Sequence, residues 1–575
     1  MSGRTGRWLL VAIAAATFLL FLPSLRNGFV DWDDNLNFTR NPYYRGLGWA
    51  QLRWMAGATV TTHWIPVTWL TLGLDYVLWG MNPAGYHLTN VVLHALNAVL
   101  FALTAYRLLE RARPRSDPAT LRAGAAVAAL FFALHPLRVE TVAWVTERRG
   151  LLSACFALVT VLTYLRMCEA AAGARWRWLA ASVGAYALAL LSQASVVPLP
   201  VVLLVLDAYP LGRLGPHWRA WTAADARRVW LEKLPYVALA AGAATIALAV
   251  NHAQAVSAPI ASFPPAARVA MLAHALVFYI VKTFMPLALN PLYELPERVS
   301  PLAPEFAGAL VAVLAVTGGL WLLRRRWPAG LALWGAYALV LVPVSGLFQT
   351  GHQLVADRYT YLSCLSWALA IGGGVCAARD AAAAGRLRAP LAAGVAGIAA
   401  LWLAGLAALT LLQVEVWRNT ETLWRYALEL DPACALCYSQ LGAELGNRGE
   451  LERAVEQLEQ GVALRPGDAV LHGNLGLTLF KLGRFTEAVP HTEQALAARP
   501  ADVATRVRLG VALLASGRAA EGIAQLRQAV VLGPRDAGAR YELARAYLTL
   551  GHRAAAREQL DVLRRLDPAL ARELE

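Results

Sequence analysis

The stretch Phe29-Val30-Asp31-Trp32-Asp33-Asp34-Asn35 follows directly on the first long apolar run of the chain, Trp8 to Leu22. Three carboxylates within four residues are costly to place beside lipid, so their position at the end of an apolar run needs a reason. Arg4 and Arg7 precede the run and no small-x-small cleavage site follows it. It therefore reads as an uncleaved first membrane span with its basic end in the cytoplasm, and the acidic loop faces outward. The rest of the chain can be read as a membrane scaffold around that loop.

Composition agrees. Of 575 residues, 58% are apolar and 16% charged, and the mean hydropathy is +0.46. Several apolar runs near 20 residues exclude a large soluble α-protein. The net charge of +14 comes largely from Arg in short loops between apolar runs, a topology signal and not a nucleic-acid footprint. Many of the 20 Trp stand near the ends of apolar segments, as an aromatic belt requires.

The outer loop, residues 24–85, holds the aromatic stretch Trp64-Ile65-Pro66-Val67-Thr68-Trp69 through Trp79, which predicts one or two interfacial helices. Further spans are predicted at Tyr86–Tyr106, Ala123–Leu134 (continuing outward to Glu140), Leu151–Leu165, Trp176–Leu191, Ala194–Leu206, Val229–Val250, Phe306–Leu323, Trp327–Pro343, Tyr359–Cys376 and Leu391–Leu412. With the first, that is about 11 spans, and each Arg-rich loop falls inside. Arg268 to Leu287 is read as interfacial or half-inserted, because a full span there would carry Arg324-Arg325-Arg326 outside.

After Leu412 a period of 34 appears. Pro432, Pro466, Pro500, Pro534 and Pro568 keep it, as do Gly449, Gly483, Gly517 and Gly551, and the pairs Leu441-Gly442, Leu475-Gly476 and Leu509-Gly510. This is the tetratricopeptide pattern of paired helices, which stack into an α-solenoid. The expected fold is all-α: a polytopic membrane domain over 1–412, a connecting helix over 413–434, and four tetratricopeptide repeats over 435–575. Among the six Cys, Cys155, Cys168, Cys364 and Cys376 read as packing residues. Cys434 and Cys437 form a lone C-x-x-C, read as inert thiols or a local disulfide, since no second pair completes a zinc site.

Four polar groups fall on the predicted outer face: Asp33 and Asp34; His135 with Glu140; Arg148; and His352 with Arg358. Chemistry on a lipid-linked phosphate needs such a set, with a carboxylate to deprotonate an acceptor hydroxyl and a fixed Arg to hold the leaving phosphate. His87, Asn90 and His94 share one helix face and either line the cavity or tie helices together; with His63 they are taken as cavity-lining. No P-loop, G-x-S-x-G or H-E-x-x-H occurs, which removes support for soluble NTPase, serine-hydrolase and zincin readings.

The segments Phe29-Val30-Asp31-Trp32-Asp33-Asp34, Gly85-Tyr86-His87-Leu88-Thr89-Asn90 with His94, His135-Pro136-Leu137-Arg138-Val139-Glu140 and Arg358-Tyr359-Thr360-Tyr361-Leu362 resemble the GT-C superfamily of polyprenyl-phosphate-sugar glycosyltransferases. The similar branch is the transmembrane and tetratricopeptide-repeat O-mannosyltransferases and their bacterial relatives. The resemblance implies a GT-C-like fold. It implies transfer of a hexose such as mannose from a polyprenyl-phosphate donor to Ser or Thr of an acceptor polypeptide held by the repeats. By position, Asp33 or Asp34 is the implied catalytic base and Glu140 a second acidic group of the cavity. Arg358 is the implied phosphate holder, and His135 and Arg148 shape the donor pocket. Where relatives often carry an acidic residue after the Arg148 position, this chain reads Arg149-Gly150. Asp33, Asp34 and Glu140 are candidate oxygen ligands for Mg²⁺ or Mn²⁺; Arg358 without a metal is the open alternative. The expected setting is the bacterial inner membrane, with the N-terminus cytoplasmic and the repeats periplasmic. The partners are then the lipid bilayer, the donor and the acceptor, with no nucleic acid. Two further readings are a non-enzymatic membrane-anchored repeat scaffold and a GT-C enzyme acting on an envelope glycan or lipid.

Overall fold

A computed structural model of the protein describes residues 1, 3–215, 218–253, 263–348 and 351–574. It divides into two compact units, Met1–Leu423 and Trp424–Glu575.

The first unit is helical. Its helices are α1 (Arg4–Phe21), α2 (Trp49–Gly57), α3 (Pro66–Trp79), α4 (Pro83–Ala112), α5 (Pro118–Ala133), α6 (Val139–Ala143), α7 (Arg148–Glu169), α8 (Ala172–Ser192), α9 (Leu199–Ala208), α10 (Ala224–Ala253), α11 (Pro265–Phe284), α12 (Pro304–Leu323), α13 (Pro328–Leu341), α14 (Thr360–Ser363), α15 (Leu365–Ala383) and α16 (Ala389–Val416). A ribbon of β1 (Tyr293–Glu294) and β2 (Gln353–Val355), antiparallel, is the sheet among the described residues.

Helix α4 shows why this unit holds together. Asn82 caps it at Ala84 N, Pro83 starts it, and Tyr86, His87, Asn90, Val91, His94, Asn97, Ala98 and Phe101 are buried along one stripe. Helices α5 and α15 approach closely because of two glycines. A Cβ on Gly124 would stand 2.6 Å from the Gly372 carbonyl oxygen, and one on Gly372 2.5 Å from that of Gly124. Small residues at such a crossing are what association within lipid relies on.

Among the described residues, seven helices are long and apolar enough to cross a membrane. The count reaches nine if two bent pairs are single spans. Pro265–Phe284, expected to lie in the interface, is a regular apolar helix of 20 residues and is among the seven by length and composition. Of the eleven expected spans, Ala194–Ala208 and Pro328–Val344 are shorter apolar helices, and α8, which carries Arg175 and Arg177 near its start, is not among the qualifying helices. The bent pairs matter most for function. Pro118–Ala133 and Pro136–Ala143 meet at 59°, and Asp357–Ser363 and Leu365–Ala383 at 52°. Each bend interrupts a span just where the sequence carries Glu140 or Arg358.

The second unit begins within α17 (Thr420–Leu430). Helix pairs follow: α18 (Ala435–Asn447) with α19 (Leu451–Leu464), α20 (Ala469–Lys481) with α21 (Phe485–Ala498), α22 (Val503–Ala515) with α23 (Ala519–Leu532), and α24 (Ala537–Thr549) with α25 (Arg553–Leu566), then α26 (Pro568–Arg572). Gly449, Gly483, Gly517 and Gly551 take φ between 76° and 83° in the turn inside each pair, a conformation only glycine adopts cheaply. Asp468, Asp502 and Asp536, 34 apart, cap the first helices of their pairs. In the first repeat that position is Cys434, joined in a disulfide to Cys437, which resolves the C-x-x-C.

Candidate functional site: a buried carboxylate–arginine cluster

The acidic loop is pinned to the end of the first unit. Asn27 Nδ2 donates to Val414 O (3.2 Å), Gly28 N to Arg418 O (2.9 Å) and Asp31 N to Thr420 Oγ1 (2.9 Å). Asp34 is fully buried. Its Oδ2 accepts from Val30 N at 3.0 Å, and its Oδ1 from Thr146 N at 3.1 Å and Thr146 Oγ1 at 2.6 Å. It fastens the loop to the turn Val145–Glu147. Burial pushes its carboxyl up to about 7, against the pull of those hydrogen bonds. Asp33 is different. It is half-buried, and burial raises its pKa while the nearby Arg149 and Arg358 guanidiniums restrain the rise.

Those two arginines belong to one cluster. Glu140, on α6, accepts from the backbone N of Arg358 at 2.7 Å with Oε2, and pairs through Oε1 with Arg358 Nη1. Glu147 Oε1 accepts from Arg149 Nε at 3.1 Å and Nη2 at 2.7 Å, and lies 3.8 Å from Arg358 Nε. Arg358 also lies over the ring of Trp144 at 5.5 Å. His63 stands in the field of Arg149, Glu147 and Arg358. Burial first, then Arg149, hold its imidazole down to about 3, so it is neutral at physiological pH. The structure thus brings together Asp33, Glu140, Arg358 and His63 from the expected set.

The other expected residues go elsewhere. Arg148 is fully buried and donates to Asp75 Oδ2 (2.7 Å) and Tyr86 O (2.8 Å) and pairs with Asn90 Oδ1. The donor-pocket role implied for it gives way to a buried tie between α3, α4 and α7. His135 is likewise committed: Nε2 meets Thr283 O at 2.9 Å and Nδ1 accepts from Leu137 N at 3.2 Å, bracing the bend after α5. His87, Asn90 and His94 are buried helix ties and not a cavity wall. His87 Nε2 lies 3.4 Å from Gly28 O, Asn90 Nδ2 donates to Val142 O (3.1 Å), and His94 bonds Tyr361 OH (2.7 Å) and Ala133 O (3.1 Å). His352 is exposed next to β2, its carbonyl bonded to Leu295 N.

The proposed metal ligands do not assemble. Asp34 spends both oxygens on Val30 and Thr146, and Glu140 spends both on Arg358. Among the described residues no three His, Cys, Asp or Glu side chains gather as a metal site would require. The phosphate-holding alternative, arginine, is what the geometry offers.

Neither Glu147 nor Arg149 is assigned a role by the sequence, in which Arg148 is the implied pocket residue and Arg149 only a departure from relatives. The signal was there: α7 starts at Arg148, and successive helical residues point about 100° apart, so Arg148 and Arg149 face different partners. A second network, also missed, joins Tyr164, Asp207, Arg213, Glu232 and Lys233 at the far end of α7. Lys233 Nζ donates to Asp207 Oδ2 at 2.6 Å, and Arg213 bridges Asp207 (2.9 Å) and Glu232 (2.5 Å).

Two apolar cavities lie in the first unit. The larger, about 470 Å³, is walled by α4, α9, α13 and α15 and touches none of the cluster side chains. The other, about 290 Å³, runs between α8 and α10 and is also lined by Thr62, His63, Trp64 and Ile65.

Tetratricopeptide-repeat family models match residues 440–503, 479–531 and 513–573. Protein O-mannosyl-transferase Tmtc1 of Drosophila melanogaster is 32% identical over 167 residues, 27% of this chain and 18% of that protein. Over that stretch the chain is similar to the TMTC protein O-mannosyl-transferases. TMTC3 of Mus musculus is 38% identical over 101 residues (18% of this chain, 10% of its own), and TMTC4 of Homo sapiens 30% over 176 residues (28% and 23%). The matched stretch is thus less than a quarter of the length of any of these relatives. Among solved structures, YrrB, described as a TPR protein with an unusual peptide-binding site, is 25% identical over 27% of this chain and 80% of its own, with a TM-score of 0.26. MamA 41-end from Desulfovibrio magneticus RS-1 is 23% identical over 26% and 85%, with a TM-score of 0.25. The protein is thus an all-α membrane protein with a tetratricopeptide-repeat array, similar over part of its length to protein O-mannosyl-transferases.

Proposed function

We propose that this protein is a membrane glycosyltransferase that moves a hexose such as mannose from a polyprenyl-phosphate donor to Ser or Thr of an acceptor polypeptide. The observation that carries the reading is the half-buried Asp33 in the field of Arg149 and Arg358, whose guanidiniums converge on Glu147, in a chain similar over part of its length to O-mannosyl-transferases. In the reaction, Asp33 takes the proton of the acceptor hydroxyl. The hydroxyl oxygen bonds to the anomeric carbon, the bond from that carbon to the phosphate oxygen breaks, and its electron pair leaves on the phosphate. A base whose pKa is raised toward neutrality suits the first step, and fixed guanidiniums suit the last. Asp34 positions the loop that carries Asp33. The repeats bind the acceptor chain. The cluster lies on the periplasmic side of a bacterial inner membrane, and the Cys434–Cys437 disulfide fits an oxidising compartment.

The test is mass spectrometry of envelope proteins from cells with and without the gene. Hexose on Ser or Thr should disappear with the gene and stay absent when Asp33→Asn is supplied in its place. An unchanged modification pattern counts against protein glycosylation and favours the repeat-scaffold reading or a glycan or lipid acceptor.

A further inference from the structure

We propose that Arg149, together with Arg358, seats the donor's phosphate, and that the prenyl tail leaves past His63 into the cavity between α8 and α10. This rests on the glycosyltransferase reading above and assigns its donor subsite. Arg149 is 5% exposed, and its Nε and Nη2 meet the same Glu147 oxygen that Arg358 Nε faces at 3.8 Å. One anionic oxygen between two guanidinium forks is the arrangement a phosphate oxygen takes. Each guanidinium carries five N–H donors, more than Glu140 and Glu147 take up among the described residues, so both keep donors for a phosphate. Glu147 is the positioning residue that turns Arg149 toward Arg358. Gly150 leaves it the room, since a Cβ there would come within 3.2 Å of Glu147 Oε2. Arg148 is excluded by its three partners and its full burial.

The tail path follows from His63. It stands in the field of both arginines and also lines the cavity of about 290 Å³. Beyond it the walls are apolar: Leu190 and Leu191 of α8, and Leu239, Ala243 and Ile246 of α10. The larger cavity near α9 and α13 lacks any contact with the cluster, so it is not assigned to the donor.

The experiment measures binding of undecaprenyl phosphate and of short geranyl phosphate to the detergent-solubilised full-length protein by tryptophan quenching. Arg149→Gln and Arg358→Gln should each weaken both ligands about tenfold or more, the scale of a lost charge-assisted hydrogen bond, and Arg149→Lys should recover part of the loss. Gly242→Phe adds bulk where a Cβ meets nothing within 4 Å. It should weaken undecaprenyl phosphate and leave geranyl phosphate unchanged. Unfolding midpoints measured on the same samples separate binding from folding; if Arg149→Gln lowers its midpoint, Arg149→Lys becomes the deciding variant. Undiminished binding in Arg149→Gln, or no saturable binding by the wild type, overturns the seat. Sugar transfer assayed in parallel keeps the two readings apart. Transfer that survives Arg149→Gln sinks the seat alone, whereas Arg149-dependent binding without any transfer sinks the transferase reading and leaves the seat.

Discussion

Asp34 is fully buried and both of its oxygens are engaged, by Val30 N and by Thr146 N and Oγ1, so it holds the loop; Asp33 is half-buried and lies in the field of Arg149 and Arg358. Asp33→Asn should therefore abolish transfer with the unfolding midpoint unchanged. Asp34→Asn turns an N–H toward Val30 N and leaves that buried donor unpaired, at a cost of about 1–3 kcal/mol, so it should lower the midpoint and reduce activity through the loop. The pH dependence differs too. Asp34 titrates near 4 when unfolded and at about 7 when folded, so between these values the folded state binds more protons. Its contribution to stability is greatest below about pH 4 and falls until about pH 7. The wild type should lose stability relative to Asp34→Asn between about pH 4 and about pH 7, measured by thermal unfolding in detergent; a constant difference would falsify the burial assignment. For Asp33 the activity must fall with falling pH through its raised pKa. Arg149→Gln removes a cation that restrains that pKa, so the acid limb of kcat/KM should move to higher pH. The pair Asp33-Asp34 was visible in the sequence as a site; which member acts was not, because the choice depends on Thr146, more than a hundred residues away.

Helices and bends read less well from sequence than repeats do. The period of 34 exposed every repeat, since Pro, Gly and Leu-Gly each have a fixed local job. The spans carried no such punctuation. Hydropathy and charge parity placed a span at α8 and a half-inserted helix at Arg268 to Leu287, and could not show that the spans beginning at Pro118 and ending at Ala383 are bent by 59° and 52°. Yet those bends carry Glu140 and Arg358 to one another. The Gly124–Gly372 crossing was equally invisible, because a glycine matters only once its partner is known. Gly372→Leu should force α15 off α5, since its Cβ alone would stand 2.5 Å from a backbone oxygen. Steric overlap with backbone is not relieved by a rotamer change, and we expect loss of folded protein from detergent extracts, seen by size-exclusion chromatography. Gly373→Leu, whose Cβ would meet Leu109 Cδ2 at 3.8 Å, is the tolerated control. In the repeats, Asp502→Ala removes a cap to Thr505 N and should cost about 1 kcal/mol.

At the scale of the molecule, two units with different tasks make a separable prediction. If the membrane unit holds the donor and the repeats hold the acceptor, removing the repeats should leave donor hydrolysis intact and impair capture of a polypeptide. The cut must spare Arg418 and Thr420, because Arg418 O and Thr420 Oγ1 hold Gly28 and Asp31 of the acidic loop. A stop after Leu430, at the end of α17, does so. Loss of binding energy that is equal in the ground and transition states raises KM with little change in kcat, and a tethered capture site supplies effective concentration that the truncated protein lacks. We expect the KM for a polypeptide acceptor to rise at least about tenfold, kcat to stay within about threefold, and hydrolysis of the donor in the absence of acceptor to be unchanged. A short Ser/Thr peptide that cannot reach the repeats should show no KM difference between the full and truncated proteins. Equal loss of hydrolysis and transfer would mean that the repeats serve the fold of the membrane unit and not recognition. An unchanged KM for the long acceptor would move recognition into the membrane unit, to the half-buried segment around His63 and Asp33.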